Sequence, residues 1–376
     1  MNTVASVDQS TAEDALEVRG LLRQSLETVL GRLYSFEQRR EAHKSAAGES
    51  EDAWKAYAEL GLTALSLPEE HGGFAASLVD IAMVAELLGG AMALEPYRQS
   101  IIAARLLAAA GTPDQQAQWL PGLAAGSARA AIAHDEGSGR LSDPVQARAV
   151  RDGAGWRLSG RKAVVAGGDT ADLFIVTAMA EGELALFLLS AEQIPRRGYR
   201  CFDWTGAADL NLDEVVVAEE ARLPASADIL AKALDEATAL ACADAVGAIR
   251  AANRLVREHT STRRQFGRTL DSFQVLQHRM VDMAIAEELA IAIANAAIAA
   301  CEAAVPTARA RAVSAAKVRV GESAREVGQQ CVQLHGGMGL VEEYPASHLF
   351  ARLGLFERSH GDIDEHLERF ASLTLD

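Results

Sequence analysis

The segment QLHGGMGLVEEYP occupies residues 333–345 and directly follows a long helical pattern. Gly336 and Gly337 have no Cβ, so a nucleotide or another chain can approach their backbone closely. Gln333 offers both an amide donor and an amide acceptor to such a ligand. A Gly-Gly pair after a helix is also a common way to end that helix. The segment therefore predicts a helix end that can also serve as a nucleotide-binding turn.

A second stretch, RRQFGR at residues 263–268, ends another long helical pattern. Arginine matches phosphate oxygens through two parallel N–H groups, so Arg263 or Arg264 can hold a pyrophosphate. Adjacent arginines at a helix C-terminus also complement the helix dipole, which is the simpler interpretation. Phe266 is explained as readily by burial in a core as by a ligand contact.

The sequence pattern of the chain around these stretches changes twice. Helical periodicity dominates both ends, whereas short apolar runs separated by Gly-rich turns fill the middle. The predicted fold is therefore mainly α with a middle β-domain. It consists of an N-terminal helical domain (1–126), a small β-barrel (127–222) and a C-terminal four-helix bundle (223–376).

The composition argues against several classes of binding partner. The 376 residues carry a net charge of −16 and the pI is about 5.1, so the surface repels nucleic acid and anionic membranes. The four cysteines contain no C-x-x-C pair, which argues against a zinc site and a disulfide framework. We see neither a signal-peptide pattern nor a run of about 20 apolar residues. We therefore expect a cytoplasmic protein without a nucleic-acid partner, a membrane partner or a metal.

A third stretch, WKAYAELGL at 54–62 followed by LPEEHGG at 67–73, completes a set of motifs. In this order, on a helix–strand–helix chain, the three stretches resemble the acyl-CoA dehydrogenase family along nearly the whole sequence. The resemblance implies FAD-dependent α,β-desaturation of an acyl-CoA thioester, with an electron-transfer flavoprotein as acceptor. It also implies at least a dimer, because the adenosine end of a neighbouring subunit's FAD is held by Arg263, Phe266, Gln333, Gly336 and Gly337.

The sequence departs from the family where the flavin end of FAD would bind. In the segment AHDEGSGR, Asp135 stands where the family has a Thr hydroxyl, and Ser138 or Ser142 could replace it only at a different spacing. In the segment AVVAG, Ala163 and Val165 stand where the family has Trp and Thr. Each lost hydrogen bond would leave a flavin group less well satisfied.

The family's catalytic Glu is also absent. Alignment from the Glu-Tyr-Pro motif places His360 at its position, and Glu236 is only near the alternative position that some members use. The ordinary pKa of His, about 6.5, suits a general base. A desolvated carboxylate is better suited to removing a thioester α-proton. His360 is therefore the candidate base, and an ion-paired structural histidine is the alternative.

Taken together, the departures resemble the small or β-type subunits of heteromeric bacterial acyl-CoA dehydrogenases, including the pimeloyl-CoA dehydrogenase small subunit. Such a chain completes the FAD site of a paralogous α subunit in an α2β2 enzyme of fatty acid or steroid side-chain degradation. The substrates of these enzymes are bulky or polar-ended, such as steroid side-chain CoA esters or dicarboxyl-CoA esters. Three alternatives remain open. The chain could form a homomeric dehydrogenase that uses His360 or Glu236, a non-enzymatic acyl-CoA-binding or scaffold relative, or a flavin-dependent oxygenase that needs no carboxylate base.

Overall fold

The computed structural model describes residues 3–137, 140, 143–303 and 305–375. Helices make up its N-terminal part: α1 (Thr3–Leu33), α2 (Phe36–Lys44), α3 (Glu51–Glu59), α4 (Leu78–Gly90), α5 (Tyr97–Ala110) and α6 (Pro113–Ala124). Several begin at a hydroxyl side chain that accepts a backbone hydrogen bond from the first turn, a favoured N-cap arrangement. The residues with this role are Ser35, Ser50, Ser77 and Thr112.

The middle part of the chain is made of short strands. They are β1 (Ala130–Ala133), β2 (Arg148–Asp152), β3 (Gly155–Ser159), β4 (Arg161–Ala166), β5 (Leu173–Ala180), β6 (Glu183–Ser190), β7 (Arg196–Arg200), β8 (Gly206–Asn211), β9 (Val215–Ala218) and β10 (Arg222–Leu223). A seven-stranded sheet has the order β10-β6-β5-β2-β3-β9, with β1 also paired to β5. A three-stranded sheet has the order β4-β8-β7.

These two sheets enclose one core. Trp156, Phe174 and Phe187 are fully buried there, and the Trp156 and Phe187 rings meet edge to face with centroids 5.7 Å apart. β5 is buried along almost its whole length, which explains its continuous apolar sequence. The β-domain is thus a curled pair of sheets around a common interior.

The C-terminal part returns to helices: α7 (Ala227–Thr262), α8 (Gln274–Glu302), α9 (Pro306–His335), α10 (Pro345–Arg358) and α11 (Ile363–Leu375). The predicted order of helices, strands and helices is confirmed. Instead of four bundle helices the described C-terminal part has five, because residues 359–362 separate α10 from α11. A hairpin that the sequence did not predict, β11 (Arg264–Gln265) with β12 (Arg268–Thr269), follows α7.

The N-terminal helices and the bundle share one core because α4 and α7 touch through glycine. A Cβ on Gly89 would lie 2.0 Å from the Asp244 carbonyl oxygen, and one on Gly247 would lie 1.8 Å from that of Glu86. Neither position can therefore carry a side chain without separating the helices. This contact fixes the position of α7, whose C-terminal end carries the RRQFGR motif.

Helix α8 differs from the other described helices because it is long and apolar enough to cross a membrane, yet only a third of its most apolar stretch is buried. It packs on α7 and α9 through Met283, Ala286 and Ala290. Val281, Ile285 and Leu289 are spaced four residues apart and remain exposed on another face. Length and composition alone are weak evidence for a membrane span, and an exposed apolar stripe is also typical of a protein interface.

Candidate functional site

The RRQFGR motif forms the end of α7 and a tight hairpin. Arg263 caps the helix, and its carbonyl oxygen accepts a hydrogen bond from the Leu270 N–H at 2.9 Å. Phe266 and Gly267 have φ values of 50° and 80°, as a two-residue hairpin turn with positive φ at both positions requires. Glycine suits such a position and phenylalanine does not. The turn nevertheless presents Phe266 to solvent with 90% of its surface exposed.

The glycine motif forms a single tight turn at the end of α9. Gly336 has φ 62° and ψ −140°, a conformation open to glycine, and its N–H donates to the Gln333 carbonyl oxygen. The Gln333 side chain and Gly337 are exposed. A Cβ on Gly337 would meet no atom of the described chain within 4 Å. Within the described residues, therefore, no contact requires glycine at position 337.

The two motifs lie at the same end of the bundle. The rings of His259 and His335 are 4.5 Å apart, and Arg263 follows His259 by one helical turn. Tyr344 covers the other side of His335, with centroids 5.2 Å apart. Burial lowers the pKa of His335, whose Nδ1 lies 2.7 Å from the Cys331 carbonyl oxygen. Arg263, Phe266, Gln333 and the glycine turn therefore form one surface, here called the adenosine-end surface after the role that the resemblance implies for it.

The segment that the resemblance assigns to the flavin end is built differently. The Glu136 carboxylate accepts hydrogen bonds from the backbone N–H groups of Gln146 and Ala147 at 2.7 and 2.9 Å. It also binds the Lys162 ammonium at 2.7 Å, and that ammonium donates to the Thr177 hydroxyl at 3.0 Å. The Lys162 side chain is fully buried. These groups satisfy one another, and the candidate hydroxyls of Ser138 and Ser142 lie outside the described residues.

Ala163 and Val165, where the resemblance implies a Trp and a Thr in contact with flavin, are both buried. The Ala163 N–H donates to the Asp135 carbonyl oxygen at 2.9 Å. A β-bulge between Lys162 and Val165 turns Val164 outward with φ 52°. The strand therefore points methyl and isopropyl groups inward at the positions where the resemblance implies indole and hydroxyl contacts to flavin.

His360, the candidate base, lies in the turn between α10 and α11. Its backbone has φ 58°, and its carbonyl oxygen lies 2.7 Å from His366 Nε2. Lys317 holds the same turn by donating to the Gly361 carbonyl oxygen at 2.8 Å. Burial, with the charges of Arg98, Lys317 and His366, lowers the pKa of His360 to about 3. At neutral pH this imidazole is uncharged and binds a proton weakly.

Glu236, the second candidate base, is buried in an ion pair. The Arg105 guanidinium grips its carboxylate through two hydrogen bonds of 2.9 and 3.1 Å. The preceding Asp235 is bound by Arg309 at 2.9 Å and Arg369 at 2.7 Å. His360 and Glu236 as bases remain predictions, but the structure surrounds both with groups that oppose proton uptake or occupy the carboxylate.

Sequence reasoning missed a set of buried charged residues that join the domains. Asp244 on α7 is bound by Arg352 of α10 at 2.7 Å and by Arg98 of α5 at 3.1 Å. On α2, Arg39 is almost fully buried and donates to Met92 and Asp203 carbonyl oxygens at 2.8 Å. Arg98 and Arg352 stand out in the sequence as arginines inside apolar helical patterns, whereas Arg39 lies in a polar segment that gives no such signal.

Comparison with known proteins agrees with this architecture. The acyl-CoA dehydrogenase N-terminal domain profile matches residues 14–127, and the acyl-CoA dehydrogenase C-terminal domain profile matches residues 227–371. Acyl-CoA dehydrogenase IpdE2 of Mycobacterium tuberculosis is 32% identical over 348 residues, which covers 92% of each chain. A Tcur3481-Tcur3483 steroid ACAD variant is 29% identical, with TM-score 0.87 over 97% of this chain and 98% of that one.

A second solved structure, the ChsE4-ChsE5 complex of Mycobacterium tuberculosis, shares the fold with TM-score 0.87. It is 24% identical and covers 96% of this chain and 97% of that one. The two domain profiles, the relative that is 32% identical over 92% of the chain and the three-part architecture all indicate the same family. The chain belongs to the acyl-CoA dehydrogenase family of oxidoreductases.

Proposed function

We propose that this chain is the non-catalytic subunit of a heteromeric, FAD-dependent acyl-CoA dehydrogenase. In this proposal it completes the adenosine end of a FAD whose flavin end and catalytic base belong to a paralogous subunit. One observation carries the proposal. The adenosine-end surface is exposed and retains the family's motif residues, whereas the positions of the flavin contacts and the base are filled by mutually satisfied or apolar groups.

The residues of the adenosine-end surface fit a dinucleotide. FAD, when bound, supplies the oxidant for desaturation. Arg263 would pair with its pyrophosphate, since a guanidinium can make two charge-assisted bonds to phosphate oxygens. Gln333 would bond a polar edge, and the turn at Gly336 and Gly337 would let backbone N–H groups approach. Because the chain carries a net charge of −16 and repels anions overall, an anionic ligand needs the local positive charge of Arg263.

Exposure of the hydrophobic residues suggests where the partner binds. Phe266, Leu340 and the α8 stripe of Val281, Ile285 and Leu289 are exposed apolar side chains. Surfaces of this kind usually mark protein interfaces. The similar Tcur3481-Tcur3483 structure is named for two different proteins, and we take a paralogous chain of the same fold as the partner here. Its description as a steroid ACAD makes a steroid side-chain CoA ester the first substrate to try, ahead of simple fatty acyl-CoA esters.

A homomeric enzyme is the second candidate, and the environment of His360 weighs against it. A general base should have a pKa near the operating pH. The pKa of His360 is about 3 because its ring is largely desolvated and lies near three groups that are or become positive. The Arg105 guanidinium already binds both carboxylate oxygens of Glu236. A homomer would therefore need a base that the described residues do not suggest.

The test is the flavin content of the chain purified alone and after co-expression with its nearest paralogue. We expect the lone chain to be colourless and the pair to be yellow, with one FAD for every two chains. Candidate acyl-CoA esters should bleach the pair, and electron-transfer flavoprotein should reoxidise it. A lone chain that holds one FAD and is bleached by an acyl-CoA would refute the heteromer. A pair without flavin would instead favour a scaffold role.

A further inference from the structure

His348 on α10 is a buried histidine that contacts all three parts of the chain. Its ring meets Phe36 of α2 edge to face, with centroids 4.9 Å apart. It also meets Trp204, from the hairpin between β7 and β8, with centroids 4.3 Å apart. Only 5% of the residue is exposed, so its hydrogen-bonding groups must find partners inside the protein.

The partners of His348 determine which ring nitrogen carries the proton. Nη1 of Arg39 lies 2.9 Å from His348 Nδ1. Burial lowers the pKa of Arg39 only to about 10, so its guanidinium remains protonated and can only donate. Nδ1 must therefore accept, and the proton of the neutral ring must lie on Nε2. Nε2 donates to the Glu342 carbonyl oxygen at 2.7 Å.

Glu342 lies just beyond the glycine turn of the adenosine-end surface. The turn spans Gly336–Leu340, and the Val341 N–H donates back to the Met338 carbonyl oxygen at 3.4 Å. His335 supports the N-terminal side of this turn from within α9. The bond from His348 to Glu342 supports its C-terminal side.

Arg39 is itself held rigidly. Its Nε donates to the Met92 carbonyl oxygen and its Nη2 to that of Asp203, both at 2.8 Å, and its guanidinium lies 4.8 Å from the Trp204 ring centroid. Trp204 has φ 72°, a conformation that is strained for a bulky residue. Strain of this kind persists only where the surroundings over-determine the backbone, and here it aims the indole at His43 and His348.

We propose that His348 is a positioning residue for the cofactor's adenosine end. Held by Arg39 in the Nε2–H tautomer, it fixes the segment after the glycine turn so that Gly336 and Gly337 present their backbone in one conformation. This role rests on the proposed function, because it presumes that the glycine turn binds FAD. It goes beyond that function by linking the N-terminal helix α2 and the β7–β8 hairpin to cofactor affinity.

The experiment measures the FAD dissociation constant of the co-purified pair with this chain carrying His348→Ala, His348→Gln, His43→Ala or Arg263→Ala. Loss of one buried hydrogen bond should weaken FAD binding about five- to tenfold in His348→Ala. Glutamine has an acceptor for Arg39 and a donor for Glu342, so His348→Gln should restore most of the affinity. His43→Ala loosens the stack on Trp204 at 4.1 Å but leaves the bond to Glu342, so affinity should stay unchanged.

Arg263→Ala separates the two proposals. If it weakens FAD binding while His348→Ala does not, the positioning role is wrong and the proposed function stands. If Arg263→Ala has no effect, the proposed function itself is wrong. If His348→Ala does not yield a folded pair, His348→Phe takes its place, because phenylalanine fills the space without either hydrogen bond. Weaker FAD binding in His348→Phe than in His348→Gln supports the role, and equal binding contradicts it. Equal losses in His348→Gln and His43→Ala, at matched melting temperatures, would mean that general loosening is responsible, which overturns it.

Discussion

The two ends of the proposed cofactor site differ in how their polar and strained groups are used. At the adenosine end, Phe266 has positive φ and is 90% exposed, and Gly337 has free space where a Cβ would stand. At the flavin and base end, Lys162 and Glu236 are buried and bound to partners within the chain. An exposed, strained residue therefore needs an external partner to explain it, whereas a buried charged pair is explained by its contacts within the chain.

The largest effect should come from breaking a buried ion pair at the flavin and base end, here called the filled end. Arg105→Met leaves the Glu236 carboxylate buried without its main partner, which should lower the free energy of unfolding by about 3 kcal/mol. Chemical denaturation of the lone chain measures this. Lys232→Met is the control, because Lys232 is half exposed and 3.8 Å from the same carboxylate, so it should cost about 1 kcal/mol or less. Similar losses in both variants would contradict a filled, structural end.

At the adenosine end, Arg263→Ala should leave stability nearly unchanged and affect the cofactor instead. Removal of a charge-assisted contact to the pyrophosphate should weaken FAD binding by the co-purified pair about 10- to 100-fold. Flavin fluorescence on titration with FAD measures the dissociation constant. Arg264→Ala is the matched control, since Arg264 is equally exposed but donates within the hairpin to the Gly267 carbonyl oxygen at 3.3 Å. Equal weakening by both variants would mean that only the local positive charge matters.

Substitution of Phe266 should have effects of opposite sign on the stability of the lone chain and on FAD binding by the pair. Asn tolerates positive φ and is favoured before Gly in this type of turn, so Phe266→Asn should stabilise the lone chain by about 1 kcal/mol. The same change removes the exposed ring and should weaken FAD binding by the pair. Thermal unfolding and FAD titration measure the two effects. Gly267→Ala, at φ 80°, should instead destabilise the hairpin. If Phe266→Asn changed neither quantity, the strain at Phe266 would have no functional explanation.

The sequence predicted the parts of this architecture that depend on short-range patterns. Helical period and short apolar runs placed the three regions, because each pattern is complete within a few turns or one strand. Contacts between distant residues could not be predicted this way. Arg39 and His348 are 309 positions apart, and Lys162 meets Glu136 across 26 positions.

The backbone conformation of Phe266 could not be predicted from the sequence either. Nothing about phenylalanine suggests positive φ, and the segment was interpreted as a helix end. In the sequence no run of about 20 apolar residues marks α8, although the helix as a whole meets the length and hydropathy criteria for a membrane span. Its exposed stripe became evident only when the buried face was known.

The smallest effect on catalysis is expected at His360, and this prediction tests the filled end directly. His360→Gln should leave turnover by the assembled pair unchanged at all pH values near neutrality, because the pKa of His360, about 3, keeps it uncharged there. Stability should still report the change. An unfolded His binds a proton near pH 6.5 and the folded one only near pH 3, so the wild-type chain loses stability relative to His360→Gln as the pH falls through this window. Denaturation at pH 7.5 and pH 5 measures that difference. A fall in turnover with an unchanged FAD content would instead make His360 part of the catalytic machinery, and the contrast between the two ends would no longer hold.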